Sequence, residues 1–237
     1  SGENSEVLLA IEFNTIQKEG LSVQIANAIR NAILEGRLAG EERLPSEADL
    51  AERFGVSRSP VSDAIARLAA EGLVDVVPQS GSRVSSFSMA EVREASFLRD
   101  AVESAAVAKV ALDRTEAQAA LLVRNMRQQE RRVAAGDHAG FYRLDEEFHA
   151  ILMEATGYPG VASVAAGVSL QLKRARLLLL PEDGRPQDTL DEHRAILDAV
   201  LARDPQAARA AMTHHLGQLL TRIAPLEQKY PDFFRTQ

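Results

Sequence analysis

The sequence predicts a mainly α protein, an N-terminal winged helix-turn-helix followed by a C-terminal all-helical antiparallel bundle. Three observations carry this. Residues 46–74, SEADLAERFGVSRSPVSDAIARLAAEGLV, hold two short amphipathic segments joined at a glycine. A β-branched-rich run over 73–77, a turn-like stretch over 78–82 and a returning run over 83–87 follow directly. Beyond Ser88 the composition shifts to Ala, Leu and Arg, with short breaks and almost no strand signal.

Taken in order, residues 1–20 mix polar and apolar side chains without a period and are expected to form a flexible arm. Over 21–35, Leu21, Ile25, Ala28, Ile29, Ala32 and Ile33 keep a helical stripe, and Gly36 stops it. Gly40 and Pro45 bracket a turn. Next, Leu50, Ala51 and Phe54 share one face, and Ser46 with Asp49 three residues later makes a capping-box start. Gly55 ends that helix, because a residue without Cβ takes the left-handed C′ conformation without strain. A second helix begins at Ser57 or Ser59, with Pro60 in the first turn where its missing N–H costs nothing. Val61, Ala64, Ile65 and Leu68 turn one side inward, leaving Arg58, Ser59, Ser62, Asp63 and Arg67 on the other. Two helices this short around so tight a turn form a helix-turn-helix whose second helix suits a major groove. The two strands form a wing. Arg83 beside Gly81 is either a solvated hairpin side chain or one that reaches a phosphate or the minor groove.

Helices are then expected over 90–112, 115–135, 137–155, 161–180, 187–202 and 205–227, packed as a bundle because the loops are short. The domain division is an arm over 1–20, a DNA-binding domain over 21–87 and a helical domain over 88–237.

Length and composition agree with this. With 237 residues, 46% hydrophobic and 26% charged, the chain suits one large or two small globular domains. No apolar run approaches the ~18–20 residues that cross a bilayer, and no secretory pattern opens the sequence. Without cysteine there is no disulfide framework and no thiolate metal site. A cytoplasmic protein with no membrane partner is expected. A net charge of −7 argues against general coating of nucleic acid. Over 21–88 seven Arg stand against nine Asp and Glu. Any DNA affinity must therefore come from where Arg58, Arg67 and Arg83 point.

In the helical region Asp145 and His149 lie four apart, so adjacent turns put both on one face, flanked by Leu144, Phe148, Ile151 and Leu152. His193 sits beside Ile196, Leu197 and Val200, and His215 near Ala211, Met212, Leu216 and Leu219. Each alone reads as a hydrogen-bonded core or surface residue. Together, three imidazoles and one carboxylate on three helices are able to converge in the bundle core. His214 is turned ~100° from His215 by one helical step and reads as solvated, as does His138 at a helix start.

The first third resembles the winged-helix domain of the GntR family of bacterial transcription regulators. The resemblance lies in Glu35-Gly36, Leu44-Pro45-Ser46, Leu50-Ala51, Gly55-Val56-Ser57-Arg58, Gly72-Leu73-Val74 and the wing Gly81-Ser82-Arg83-Val84. It implies a DNA-facing set of Arg43, Ser46, Ser57, Arg58, Ser59, Ser62, Arg67, Gly81 and Arg83. Where the family usually carries Arg-Glu after the Pro-Val of the recognition helix, Ser62 and Asp63 stand here. A Ser cannot form the bidentate guanine contact of an Arg, worth ~1–3 kcal/mol of discrimination, so the operator should differ from the family's usual one. The remainder, from Ser88 to about Pro225, resembles the FCD domain of the FadR-like branch. The matching residues are Asp145 and His149 in LDEEFHAIL, His193 in EHRAILDAV and His215 in MTHHL. Tyr158 departs from the Asn that commonly follows the Gly of the middle loop.

The resemblance implies that these four residues are metal ligands. Three imidazole nitrogens and one carboxylate oxygen suit Zn²⁺, Ni²⁺ or Mn²⁺. It further implies a small carboxylate or sugar-acid effector on the ion, with Arg99 and Arg176 as candidates for its far end. Arg99 is equally placed for an ion pair with Glu103 four residues on, and Arg176 lies in the cluster Lys173-Arg174-Ala175-Arg176, where a solvated face is the default. The function read from all this is a regulator, a repressor in the leading reading, and not an enzyme. It would bind double-stranded operator DNA as a homodimer with half-sites ~34 Å apart or a multiple of that, through a hinge over 84–92. Two alternatives use the same cluster. One is a metal hydrolase, against which stand the lack of an HExxH motif, of a His-Asp dipeptide and of a separate general base. The other is a regulator whose effector is the ion itself.

Overall fold

In the computed structural model, residues 20–34, 37–86, 88–179 and 185–229 are described. Residues 1–19 of the arm expected over 1–20, the stop at Gly36, the strand end at Phe87 and residues 181–184 of the break expected over 181–186 lie outside them. The chain divides into two compact units. One is built on Ser1–Glu91 with Lys173–Pro181 and Pro225–Gln237, the other on Val92–Leu172 with Glu182–Ala224.

The first unit opens with α1 (Leu21–Leu34), α2 (Glu47–Phe54) and α3 (Arg58–Ala70), followed by the strands β1 (Val74–Val77) and β2 (Gly81–Val84). Both α1 and α2 pack on α3, and α3 packs on β1. The apolar stripes explain why: Ile25, Ile29 and Ile33 of α1, Leu50 of α2, and Val61 and Leu68 of α3 are wholly buried. Ser46 caps α2 by accepting from the Asp49 N–H (3.1 Å). Gly55 ends it in the left-handed region at φ 65°, where a Cβ would be strained. Arg30 grips Glu71 with two bonds, Nε to Oε2 (2.8 Å) and Nη2 to Oε1 (2.6 Å), tying α1 to the end of α3.

The wing departs from expectation in two ways. The returning strand covers Gly81–Val84 rather than 83–87, with Val74 opposite Val84, Asp75 opposite Arg83 and Val77 opposite Gly81. The turn is tighter than the composition suggests. Ser80 donates to the Val77 carbonyl (3.0 Å), and Gln79 (φ 61°) and Gly81 (φ 87°) reverse the chain in few residues. The stretch between Gly40 and Pro45 is also more than a turn. Glu41 N–H donates to Val84, Val84 N–H to Glu42 and Leu44 N–H to Ser82, at 2.8–2.9 Å, and Arg43 bridges Arg83. This third edge has no period-2 pattern to announce it.

The second unit draws on α4 (Met89–Asp113), α5 (Glu116–Ala134), α6 (His138–Glu154), α7 (Pro159–Leu179), α8 (Pro186–Leu201) and α9 (Pro205–Ile223); a short α10 (Leu226–Lys229) follows. Helix α5 packs on α6 and α8, and α8 on α6 and α9. Three of these starts are capped as the residue types dictate: Thr115 and Gln118 form a reciprocal capping box, Asp137 accepts from Gly140, and Asp204 from Gln206 and Ala207. Buried Arg114 donates to the carbonyls of Val200 and Leu201 (2.9 Å each), closing the C-terminal end of α8. Val107, Val110, Leu122, Phe141, Phe148, Leu152, Ile196 and Met212 form the core. The single last helix expected over 205–227 is broken, since α9 stops at Ile223 and α10 begins at Leu226. Pro225 has no N–H to continue the ladder. Among the described residues no helix is long and apolar enough to cross a membrane.

Candidate functional site

Helix α6 buries Phe141, Phe148 and Leu152, and that same side carries Asp145 and His149 into the second unit. From α8, His193 is fully buried between Leu190 and Ile196, and from α9 His215 stands beside buried Met212 and Leu216. The structure brings all four together, with one ligand atom of each within 4.8 Å of all the others. His149 Nε2 lies 3.1 Å from His215 Nε2, which lies 3.3 Å from His193 Nε2. Asp145 Oδ1 is 3.1 Å from His193 Nε2 and 3.9 Å from His149 Nε2.

What faces the other ring nitrogens fixes the chemistry. His149 Nδ1 meets Glu103 Oε2 at 2.5 Å, His215 Nδ1 meets Glu192 Oε2 at 2.7 Å, and His193 Nδ1 meets Gln129 Oε1 at 2.8 Å. Gln129 donates its amide N–H to Asn125 Oδ1 (2.7 Å), and Asn125 donates to the Leu144 carbonyl (3.1 Å), so Gln129 must offer its oxygen to the ring. An acceptor oxygen thus faces Nδ1 of each ring; with the proton on Nδ1, Nε2 is left as a lone pair turned toward the others, whereas in the other tautomer His193 Nε2 donates to Asp145 Oδ1 at 3.1 Å. Phe148 stacks on the His193 ring at 4.5 Å and holds its plane. With all three protons on Nδ1, three lone pairs and a carboxylate oxygen aimed at one point repel one another unless a cation lies between them. Ring nitrogens at 3.1–3.3 Å fit donors sharing one ion at ~2.0–2.1 Å each, and an acceptor facing every outer N–H is the usual support of a metal-binding histidine.

The electrostatics keep the donors ready. Burial pushes the His215 imidazole down to about 4, against the opposing pull of its Glu192 hydrogen bond, and burial likewise lowers His193 below its ordinary value. Both are neutral near pH 7. Burial would raise the Glu103 carboxyl, but His149 and Arg99 outweigh it and hold it at about 2. Asp145 is held below the usual carboxylate range by the imidazoles of His193, His149 and His215 in spite of burial, and Glu192 by His215 and Arg185.

Sequence reasoning did not single out Gln129, Asn125 or Glu192, and it noted Glu103 only as a partner for Arg99. Their partners lie 46 and 64 residues away in the case of Glu103 and Gln129, a separation no local pattern reports. Glu192, next to His193, was the one with a signal. Arg99 is largely buried and donates Nε to Glu103 Oε1 at 2.9 Å, the intrahelical pair. Arg176, half-buried on α7, falls in the segment grouped with the first unit. His214, His138 and Tyr158 are exposed, with Lys109 over the Tyr158 ring at 5.0 Å.

In the first unit Ser57, Arg58, Ser59 and Arg67 are exposed along α3. Ser57 is the N-cap residue but makes no side-chain capping bond. Ser46 is spent on its own cap, and Ser62 Oγ donates to Glu47 Oε2 at 2.5 Å. At the wing Arg43 and Arg83 are bridge partners, the Arg43 guanidinium lies beside Gly81, and Arg83 Nε is buried with no hydrogen-bond partner.

Residues 21–84 match the family described as bacterial regulatory proteins, gntR family, and residues 94–218 match the FCD domain. The chain is 30% identical over 226 residues to the HTH-type transcriptional repressor RspR of Escherichia coli, covering 95% of this chain and 99% of that protein. It is 38% identical over 208 residues to a regulator from an unstable DNA locus of Streptomyces ambofaciens, covering 88% and 87%. The fold is also that of E. coli McbR/YncC, with a TM-score of 0.64 at 22% identity over 90% of this chain and 100% of that one. A winged helix at one end, an FCD bundle with a cluster of three histidines and one aspartate at the other, and likeness along nearly the whole length place the chain in the GntR family of bacterial DNA-binding transcription regulators, in the FadR-like branch that carries an FCD domain, and not among enzymes.

Proposed function

We propose that this chain is a cytoplasmic repressor that binds its operator as a homodimer through residues 21–87. Its grip on DNA is set by a small carboxylate or sugar acid held at a divalent ion, Zn²⁺, Ni²⁺ or Mn²⁺, in residues 88–237. The observation that carries the reading is the convergence of three imidazole Nε2 atoms and Asp145 Oδ1. Asp145, His149, His193 and His215 would hold the ion, which when bound supplies a Lewis-acid seat for a carboxylate. Glu103, Gln129 and Glu192 orient the rings. Arg99 is linked to the cluster through Glu103 and is the candidate for steering an anion toward it within the same unit. Repressor character is supported by RspR of E. coli, and by NanR of Citrobacter rodentium, 28% identical over 239 residues, both named as repressors.

An effector acts only through unequal affinity for two conformations, so binding must alter operator affinity and be altered by it in equal measure. The test is metal analysis of the purified chain, then a thermal-shift screen of organic acids with and without a chelator, then operator binding with the hits. We expect about one ion per chain, acid-induced stabilisation that chelation removes, and a change in operator affinity. A chain that takes up no ion, or acids that stabilise it equally after chelation, would overturn the proposal. Switching by chelation with no acid present would favour the ion itself as effector.

A further inference from the structure

Ser62 stands on the exposed side of α3, one turn after Arg58, and its hydroxyl is not free. The single proton is donated to Glu47 Oε2 on the first turn of α2, at 2.5 Å. Glu47 is exposed and has no other hydrogen bond or ion pair among the described residues. Once the hydroxyl proton is committed, everything this pair can offer an outside partner is a lone pair, from Ser62 Oγ and from both carboxylate oxygens of Glu47.

We propose that Ser62 and Glu47 form one base-reading unit that selects an exocyclic amino group in the major groove, cytosine N4 or adenine N6. The inference rests on the reading of the chain as an operator-binding regulator. In the major groove cytosine and adenine present an amino donor where guanine and thymine present carbonyl oxygens. An acceptor-only pair accepts from the first two and repels the second two, so it discriminates by attraction and by exclusion together. The carboxylate's cost near the phosphate backbone is offset by Arg58, which lies four residues before Ser62 on the same side of the helix, exposed and unpaired among the described residues. The first-turn position of Glu47 in α2 also favours its ionised form, because the helix N-terminus carries partial positive charge.

The test is selection of bound duplexes from a random pool by the full chain, followed by affinity measurements on single-base variants at one salt concentration. Wild type, S62A and the isosteric E47Q are compared. Wild type should demand C or A on one strand at one position of each half-site. In E47Q the carboxylate becomes an amide that also donates, so discrimination against G or T at that position should fall about tenfold, with other positions unchanged. S62A should relax the same position by less. If both variants keep the wild-type base ranking everywhere and only melt at lower temperature, the pair is a strut between α2 and α3 and the inference fails while operator reading stands. If wild type enriches no sequence, operator reading fails and the inference with it.

Discussion

The two units use polar side chains in opposite ways. In the winged-helix unit Arg43, Ser57, Arg58, Ser59 and Arg67 lie exposed over a core of Ile, Leu and Val. In the helical unit Glu103, Gln129, His149 and His193 are buried, and each has a defined partner at 2.5–2.8 Å. The exposed set suits a large, hydrated, polyanionic partner, since phosphate contacts position a protein through side chains that meet it from solvent. The buried set suits a small partner, because a satisfied polar network inside a low-dielectric core is rigid before anything binds. The contrast is between side chains that present their polar atoms outward and side chains whose orientation is held from behind.

The largest effect should come from disturbing the buried set. Removing one of the four donors, as in His193→Ala, should cost more metal affinity than removing an outer partner. Gln129→Ala or Glu192→Gln should cost about 10–100-fold, read by calorimetric titration with Zn²⁺, Ni²⁺ and Mn²⁺. Equal loss from inner and outer changes would mean that the rings are not individually held.

Acid should reach the same set next. His215 sits at about 4 in the folded chain against 6.5 ordinarily. Between these values the unfolded chain binds more protons than the folded one, so stability rises with pH. The contribution is fully present above about 6.5 and is lost as pH falls toward 4, on the order of 2 kcal/mol at pH 5 for the metal-free chain. Glu103, held at about 2, loses its own contribution only below about 4.5. Melts across pH 7 to 5 check this, and a flat profile would show that burial does not keep His215 neutral.

Smaller effects should mark the exposed set. Arg58→Ala should weaken binding to operator and to random DNA alike and flatten the salt dependence by about one unit, the signature of one phosphate contact. Unchanged salt dependence would remove Arg58 from the interface. Ser46→Ala should lower stability by ~1 kcal/mol through loss of the α2 cap and leave metal affinity unchanged, since it belongs to the other unit. A metal effect from this change would show that the units do not behave as independently as their composition suggests.

Much of this was legible in the chain because the signals are local. The Ser46 cap, the Gly55 stop, the Thr115 and Asp137 starts and the four-residue step from Asp145 to His149 are each contained within one or two helical turns, where backbone geometry alone decides the outcome. The four candidate ligands were identifiable as residue types on apolar faces, and the resemblance to a known domain joined them. Less legible were the wing boundaries, the third edge at 41–44 and the break at Pro225. There, short elements without periodicity are set by pairing and packing.

By itself, then, the sequence determined which segments are helical, which faces turn inward and which few ionisable side chains lie on or beside those faces. Only the tertiary structure decided that Glu103, Gln129 and Glu192 face the outer nitrogen of each ring, and that Glu47 takes the one proton of Ser62. The physical reason is that a hydrogen bond has direction. A residue's identity tells what it can donate or accept, but which atom faces which is fixed when separate helices dock and their side chains settle into the rotamers that the packing allows.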